Sequence, residues 1–305
     1  MSIVVIHHER SLRKYENDSL LAFIAQRWRG RGIKVTNVYG SSEFVLADMA
    51  IVHVDLSVVP ERYCDFAQRY PVSVNTLVTD IRKRTFSSLR ITQPNTYDGG
   101  VIVKTNLNSG GLPERRIMRN GWPAPIRALH RGLEKALRGC GLSSCASTIS
   151  NEYRTFDSAA DVPSEMFDSP DLIVEQLVNE RLEDRYCHRR YYFLGDAEVS
   201  QLWLGTRSIC AEDTDDVEVH EVPTPEALRE FRRRISIDYG KIDYVLDKDG
   251  QVIVLDVNKT PGGLCRNPEH LPWLNDLCDR LEAGILNLPP TRLCQVHASD
   301  SRPNC

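Results

Sequence analysis

Two carboxylates on the arms of one hairpin, Asp243 and Asp256 in KIDYVLDKDGQVIVLDVNKTPGG (residues 241 to 263), are the residues here best placed to do chemistry. Asp-Gly is a favoured dipeptide for a two-residue hairpin turn. With Asp249-Gly250 in that turn, Lys248 faces Gln251, Asp243 faces Asp256 and Lys241 faces Asn258. Side chains alternate along a strand, so Lys241, Asp243, Asp256 and Asn258 share one face. Ile242, Tyr244, Leu246, Ile253, Leu255 and Val257 form the other, apolar face. Like charges directly opposite one another destabilise a sheet. A cation between them removes that penalty, and two carboxylates with an amide oxygen match the partial oxygen shell that holds Mg2+ when phosphates and water supply the rest. A nucleotide-bound Mg2+ is the physical expectation. A solvated acidic face beside a turn is the plainer alternative, and a longer turn breaks the pairing.

A second set of residues suits phosphate. VIVKTNLNSGG (101 to 111) reads as a short strand containing Lys104, followed by a loop of Asn108, Ser109, Gly110 and Gly111. A Gly-rich backbone approaches phosphate oxygens closely and donates N–H groups, while a lysine adds a point charge. A plain flexible turn accounts for the same residues without function. His7-His8, at the end of the first strand, reads as an inert surface pair, and Arg232 to Arg234 as the solvated face of a helix. Cys187-His188 and Cys265-Arg266 have no oriented base beside them and read as incidental thiols.

The hairpin resembles the metal-binding segment of ATP-grasp enzymes, whose pattern is an Asp, a hairpin, an acidic residue, one spacer, an Asn and a Pro-Gly turn. The resemblance implies Mg2+ ligands at Asp243, Asp256 and Asn258, with Asp256 standing where the family more often has Glu. Lys241 occupies a place where D-alanine–D-alanine ligases often carry an Arg that touches the transferred phosphate; a Lys supplies the charge without bidentate geometry. VNTLVTDIRKRTFSSL is similar to the family segment with a phosphate-contacting lysine, which gives Lys83. VIVKTNLNSGG resembles the second ATP lysine and its flap, which gives Lys104 with Ser109, Gly110 and Gly111. LIVEQLV looks like the hinge strand at which adenine binds, through the backbone of Glu175, Gln176, Leu177 and Val178. Glu180 or Glu183 then holds the ribose, and Arg190 resembles a basic residue that faces phosphate or substrate.

Over residues 72 to 263 the resemblance implies ATP and Mg2+ as cofactors. It implies a ligase that activates a substrate carboxylate as an acylphosphate for attack by an amine or related nucleophile. The carboxylate belongs to a small molecule or a peptide, and a homodimer is among the family's assemblies. A kinase of the same family, phosphorylating a small-molecule acceptor, and a non-catalytic nucleotide-binding protein are the alternatives.

These residues need elements to hold them. IVVIHH, ENDSLLAFIAQRWRGRG, IKVTNVY, ADMAIVHVDL, a helix opened by Pro60, and VSVN alternate as strand, helix and strand, which predicts a parallel α/β lobe over 1–90. No GxGxxG follows the first strand, and Gly30 and Gly32 cap a helix, so a nicotinamide dehydrogenase is disfavoured. A basic helix is expected over 79–91 and a helix over 122–139, the latter inside a central lobe at 91–174. RRYYFLGDAEVSQLWLG reads as an antiparallel pair around Gly195-Asp196, and PWLNDLCDRLEAGILNL as an amphipathic helix. With the hairpin they form a C-terminal lobe at 175–290, before a tail at 291–305. The expected class is α/β with α+β lobes: an ATP-grasp fold with a Rossmann-like N-terminal lobe and a C-terminal antiparallel sheet.

Composition narrows the partners. A net charge of −4 argues against nucleic acid, and no apolar run is long enough for a membrane span or a signal peptide. Nine cysteines, an odd number without a CxxC pair, fit reduced thiols in a cytoplasmic protein.

Overall fold

The computed structural model describes residues 1–11, 17–126, 128–129, 153–207, 217–262, 272–286 and 288. The expected helix over 122–139 lies mostly outside these residues; Cys265-Arg266 and the tail lie wholly outside. Parallel and antiparallel sheets are both present, with helices among them. The chain divides into two compact units: residues 1–80 with 179–305, and residues 81–178.

Unit 1 begins with a parallel sheet built from β1 (Ser2–His7), β2 (Lys34–Tyr39), β3 (Met49–Val52) and β4 (Val72–Val74), in the order β2-β1-β3-β4. β1 and β3 are apolar at almost every position because helices and sheet bury both their faces. Helix α1 (Leu20–Gly30) is N-capped by Ser19, whose Oγ accepts the Ala22 N–H at 3.2 Å. Helix α2 (Glu61–Ala67) starts after Pro60, as expected. His7 and His8 are not a surface pair: they are 4% and 6% exposed.

The second sheet of unit 1 comprises β9 (Glu180–Leu182), β10 (Arg185–Leu194), β11 (Ala197–Gly205), β12 (Glu218–Val222), β13 (Tyr239–Leu246) and β14 (Val252–Asn258). It runs β12-β11-β10-β13-β14, with β9 pairing to β10. Leu194 faces Ala197 across the two-residue turn at Gly195-Asp196. One core joins both sheets: Leu20, Ile24 and Trp28 of α1 meet Tyr192, Leu194 and Val199 of the antiparallel sheet and Leu274, Leu277 and Leu281 of helix α7 (Pro272–Leu281). Asn75, in left-handed backbone at φ 60, ties the sheets together. Its Oδ1 accepts the N–H groups of Asp238 (2.9 Å) and Tyr239 (3.0 Å), and its Nδ2 donates to the Tyr239 carbonyl at 2.8 Å.

Helix α6 (Glu226–Ile235) carries the arginine run. Arg232 is not solvated: its guanidinium donates to the carbonyls of Gly195, Ile237 and Asp238, and lies 4.3 Å over the Phe193 ring. Cys64, Cys187 and Cys278 are free and buried. No helix among the described residues is long and apolar enough to cross a membrane.

Unit 2 is an antiparallel sheet formed by β5 (Arg90–Ile91), β6 (Val101–Thr105), β7 (Arg154–Phe156) and β8 (Leu172–Gln176), in the order β5-β8-β6-β7. Ile91, Val101, Val103, Val162 and Val174 make its core. The helix expected over 79–91 shrinks to α3 (Lys83–Phe86), because Leu89 and Ile91 are buried and the chain at 90–91 pairs with β8. Such tertiary pairing overrides local helical preference. After the loop comes helix α4 (Leu112–Asn120), which the sequence reading does not anticipate; Pro113 in its first turn is a helix-starting position rather than a break. Helix α5 (Ser164–Asp168) completes the unit.

Candidate functional site

The β13–β14 hairpin places Asp243 opposite Asp256 and Lys241 opposite Asn258. The route to that register differs from the expected one. Asp247 N–H donates to the Gln251 carbonyl at 3.0 Å and Gly250 N–H to the Asp247 carbonyl at 3.0 Å, so the loop has three residues, Lys248 to Gly250. Asp247 Oδ1 braces it by accepting from Asp249 N (2.9 Å) and Gln251 N (2.8 Å), and Gly250 supplies the left-handed residue at φ 75. A bulge between Asp243 and Tyr244 then shifts the pairing by one, so Tyr244 faces Val254. The two departures cancel at the acids. Toward the turn they do not: Val254 is the buried partner of Tyr244, whereas Ile253 and Leu255, expected on the apolar face, are half-buried.

Charge on this face is partly balanced from within. Lys241 Nζ lies 3.0 Å from Asp243 Oδ2. Asp243 Oδ1 is buried and accepts no hydrogen bond. Asn258 Oδ1 accepts the Thr260 N–H at 2.8 Å, which leaves a second lone pair on that oxygen. Thr260 Oγ1 in turn donates to Asp55 Oδ1 at 2.7 Å, fixing the chain where it leaves the hairpin. Lys259 is directed away, its buried Nζ donating to the Val78 carbonyl at 3.2 Å. Among the described residues no group of three or more His, Cys, Asp and Glu is placed to hold a metal. Two acids and an amide are instead an incomplete shell, the kind that Mg2+ completes with phosphate and water oxygens.

The neighbouring strand extends the polar face. Arg190 stands opposite Asp243 in the β10–β13 register and is 5% exposed. Its guanidinium carbon sits 3.8 Å over the Trp203 ring, and Trp203 Nε1 donates to Gln201 Oε1 at 3.1 Å. His188, two residues before Arg190, has its pKa lowered by burial, against the raising effects of the Arg207 carbonyl and Asp243. A neutral imidazole therefore joins the set at neutral pH. The sequence gives no sign of Trp203, Gln201 or Asp55 here: strand register brings the first two, and Asp55, beyond the end of β3, arrives through its bond from Thr260.

Glu180 is held elsewhere. It faces Cys187 across β9 and β10, which puts it on the side of the sheet opposite Asp243 and Arg190. Its carboxylate accepts from Arg189 Nε and Nη2 at 2.6–3.0 Å and from the Leu246 N–H at 2.8 Å. Glu183, the other candidate, occupies left-handed backbone at φ 55 in the turn between β9 and β10.

In unit 2, Lys104 Nζ lies 2.8 Å from Glu175 Oε2, and the two side chains are 10% and 1% exposed. Glu175 thus contributes a carboxylate, while the hinge backbone is largely used by the sheet. Gln176 N donates to the Leu89 carbonyl at 2.9 Å and Leu177 N to the Gly100 carbonyl at 2.8 Å. Val178 follows at the end of the unit. Lys83 is 4% exposed, and its Nζ donates to the Leu107 carbonyl at 3.4 Å. Ser109, Gly110 and Gly111 adopt positive φ of 47, 63 and 69°, a run that glycine makes accessible. Asn108 Oδ1 secures the start of the run by accepting the Ser109 N–H at 2.8 Å. Lys83, Lys104 and this loop therefore converge on the carboxyl end of β6.

No protein-family profile matches the sequence, and no curated protein does. Solved structures similar to this chain include the macrocyclase MdnC of Microcystis aeruginosa MRC bound to its precursor peptide MdnA: TM-score 0.44, 10% identity, 94% of this chain and 100% of that chain covered. An ATP-grasp RimK domain protein of Sphaerobacter thermophilus DSM 20745 has a TM-score of 0.44 and 12% identity, over 93% of this chain and all of its own. The ATP-grasp ligase PsnB, solved with a variant of its minimal precursor, Mg and ADP, has a TM-score of 0.46 and 11% identity, over 93% and 99% of the two chains. At these identities and scores the case for an activity is left to this chain's own side chains.

Proposed function

We propose that this protein is an ATP- and Mg2+-dependent ligase that activates a substrate carboxylate as an acylphosphate and transfers the acyl group to an amine or related nucleophile. The observation that carries the reading is the face shared by Asp243, Asp256, Lys241, Asn258 and Arg190, with Asp243 Oδ1 buried and accepting no hydrogen bond. Asp243, Asp256 and Asn258 would hold Mg2+, which when bound neutralises charge on the phosphate oxygens.

In the first step a carboxylate oxygen attacks the γ-phosphorus, the bond to the bridging oxygen breaks, and ADP leaves with the electron pair. Arg190, immobilised on Trp203, and Lys241 supply fixed positive charge for the transferred phosphoryl group. In the second step the amine nitrogen attacks the acyl carbon, phosphate leaves with its oxygen, and the amine loses a proton. No protein nucleophile is needed; the side chains act by position and charge. In unit 2, Lys83, Lys104 and the Ser109–Gly111 loop are assigned to nucleotide phosphate, and Glu175 to Val178 to the base. Of the two ribose candidates, Glu183 is preferred, because Glu180 is engaged by Arg189.

The test is ADP release with a panel of small carboxylic acids and carboxylate-bearing peptides, with hydroxylamine added to trap an acylphosphate as the hydroxamate. Acid-dependent ADP release with hydroxamate formation supports the ligase. A stable phosphorylated product that resists hydroxylamine identifies a kinase. Mg2+-dependent ATP binding without ADP across the whole panel identifies a nucleotide-binding protein, and absence of ATP binding overturns the reading altogether.

A further inference from the structure

A cleft at the carboxyl ends of β1 and β3 has no part in the chemistry above. Buried His7, His53 and Ser19 line it together with exposed Gln26, Arg29 and Asn37, and apolar side chains of β1 and α1 form its walls. Open parallel sheets take ligands just beyond the carboxyl ends of their strands, where the strand order reverses. In the order β2-β1-β3-β4 that point lies between β1 and β3, and His7 and His53 flank it. The enclosed part of the cleft is small, about 60 Å3, and it opens to solvent at its mouth.

Its inner end is unsatisfied. His53 is 5% exposed, yet its Nδ1 is buried and makes no hydrogen bond. The His53 ring is flanked by those of His7, edge-on at 5.4 Å, and Tyr239, tilted at 6.2 Å, and His7 is in turn stacked on Tyr39 at 5.4 Å, which limits how the imidazole can turn. Burial, and secondarily the charge His7 would carry, hold the His53 pKa well below its ordinary value. The neutral ring offers one donor and one acceptor, which suits an amide or hydroxyl rather than an ion. The outer end differs. Among the described residues no Asp or Glu lines the cleft; Arg29 stands at its mouth, and the amino end of α1 contributes Ser19, Leu21 and Ala22. The Arg29 guanidinium favours negative charge there; it belongs to the last turn of α1, roughly 15 Å of helix from Ser19, and donates to the Val35 carbonyl at 3.5 Å. Ser19 also bridges to Gly262, so the cleft adjoins the segment that closes the hairpin motif.

We propose that this cleft binds a small carboxylate that also carries a neutral hydrogen-bonding group, an N-acyl amino acid being the simplest case. The neutral group meets His53 Nδ1 and the carboxylate meets Arg29. The assignment does not depend on nucleotide chemistry and is tested without nucleotide.

The experiment follows histidine ring resonances of the full-length protein by NMR during titration with N-acetylglycine, N-acetylglycinamide, acetate or inorganic phosphate. His53 and His7 should shift saturably with N-acetylglycine at millimolar concentration. N-acetylglycinamide, which lacks the charge, and acetate, which lacks the amide, should each bind at least about tenfold more weakly. Arg29→Gln, at an exposed position, should remove most of the difference between N-acetylglycine and its amide while leaving the fold intact by circular dichroism. His53→Phe should abolish the response of His7 to both. Absence of a saturable shift with N-acetylglycine, equal binding of phosphate, or an unchanged preference in Arg29→Gln would each overturn the proposal.

Discussion

Asp256→Asn should change stability in opposite directions without and with magnesium. Without metal, Asp256 faces Asp243 across the hairpin, and Lys241 lies 3.0 Å from Asp243. Like charges directly opposite cost up to about 1 kcal/mol. The substitution should therefore leave the metal-free protein as stable as wild type or stabilise it by up to about 1 kcal/mol. For a unit of this size that is a Tm rise of at most roughly 2–4 °C. With ADP at fixed concentration and Mg2+ at ten times its Kd, binding adds RT ln 11, about 1.4 kcal/mol, to the wild type. The resulting rise of roughly 3–6 °C should be lost in Asp256→Asn. Lys241→Met gives the reverse pattern. It removes a partner that is 11% exposed, should lower the metal-free stability by about 2 kcal/mol, and should make Mg2+ stabilise more steeply. Differential scanning fluorimetry across a MgCl2 series reads all three proteins. An Asp256→Asn protein that is less stable without metal and keeps the wild-type Mg2+ response would refute the placement of the cation between these strands.

Gly284→Ala should lower Tm by roughly 6–12 °C, because a Cβ at 284 would sit 1.7 Å from the Leu194 carbonyl oxygen and one at 195 would sit 1.8 Å from that of Gly284. Relieving such backbone overlap costs about 3 kcal/mol, and a thermal scan within 2 °C of wild type, roughly the scatter expected of a neutral change, would contradict the close approach. Lys104→Met should destabilise unit 2 by about 3–5 kcal/mol in urea unfolding by leaving the Glu175 carboxylate buried alone, and Lys104→Met with Glu175→Leu should recover most of that. Equal loss in the single and double variants would show that the ion pair is not the cause. Burial raises the Glu9 pKa, but the Tyr63 hydroxyl, the residue's own backbone N–H and, more weakly, His8 and Arg62 together outweigh it and bring the pKa down from 4.5 to about 2. A lowered carboxylate pKa contributes stability above the unfolded value and loses it as pH falls through the folded one. Because Glu9 is 42% exposed, Glu9→Gln should cost only about 1 kcal/mol at pH 7, with the gap to wild type closing between pH 4.5 and about 2. A gap that stayed constant over that range would rule out the carboxylate as its source.

The hairpin was legible because alternation and an Asp-Gly turn are local signals, and the pairing of Asp243 with Asp256 follows from them. The turn length and the bulge were not, since one extra residue in each can compensate the other and leave the same acids facing. His7 reads as a surface residue from its position after four apolar residues. Only the strands on either side, which bring Tyr39 and His53 against it, make it part of a buried row. Arg232 lies in a run of arginines that resembles a solvated face, and the Ile237 and Asp238 carbonyls just beyond its helix, with that of Gly195 from a distant turn, reclaim it. Glu180 shows the same limit: a short strand without an apolar signature sets its side of the sheet. Lys104 stood out as a lone cation before a Gly-rich loop, whereas its partner Glu175 drew attention for its backbone. What sequence alone withholds throughout is register between segments far apart in the chain.

That separation also orders how the molecule is made. Residues 81–178 are continuous, and the core among their described residues is drawn from that stretch alone. The first eighty residues are different: Asn75 waits for Asp238 and Tyr239, 163 and 164 residues later, and the Trp28 indole waits for the Glu282 carbonyl, 254 residues later. Contacts so far apart close late and slowly, because loop entropy is lost before they return anything. During synthesis the middle of the chain can fold while the beginning is still incomplete. The part of α1 that packs on α7 stays uncovered until α7 leaves the ribosome, a window in which chaperone binding or aggregation competes with folding.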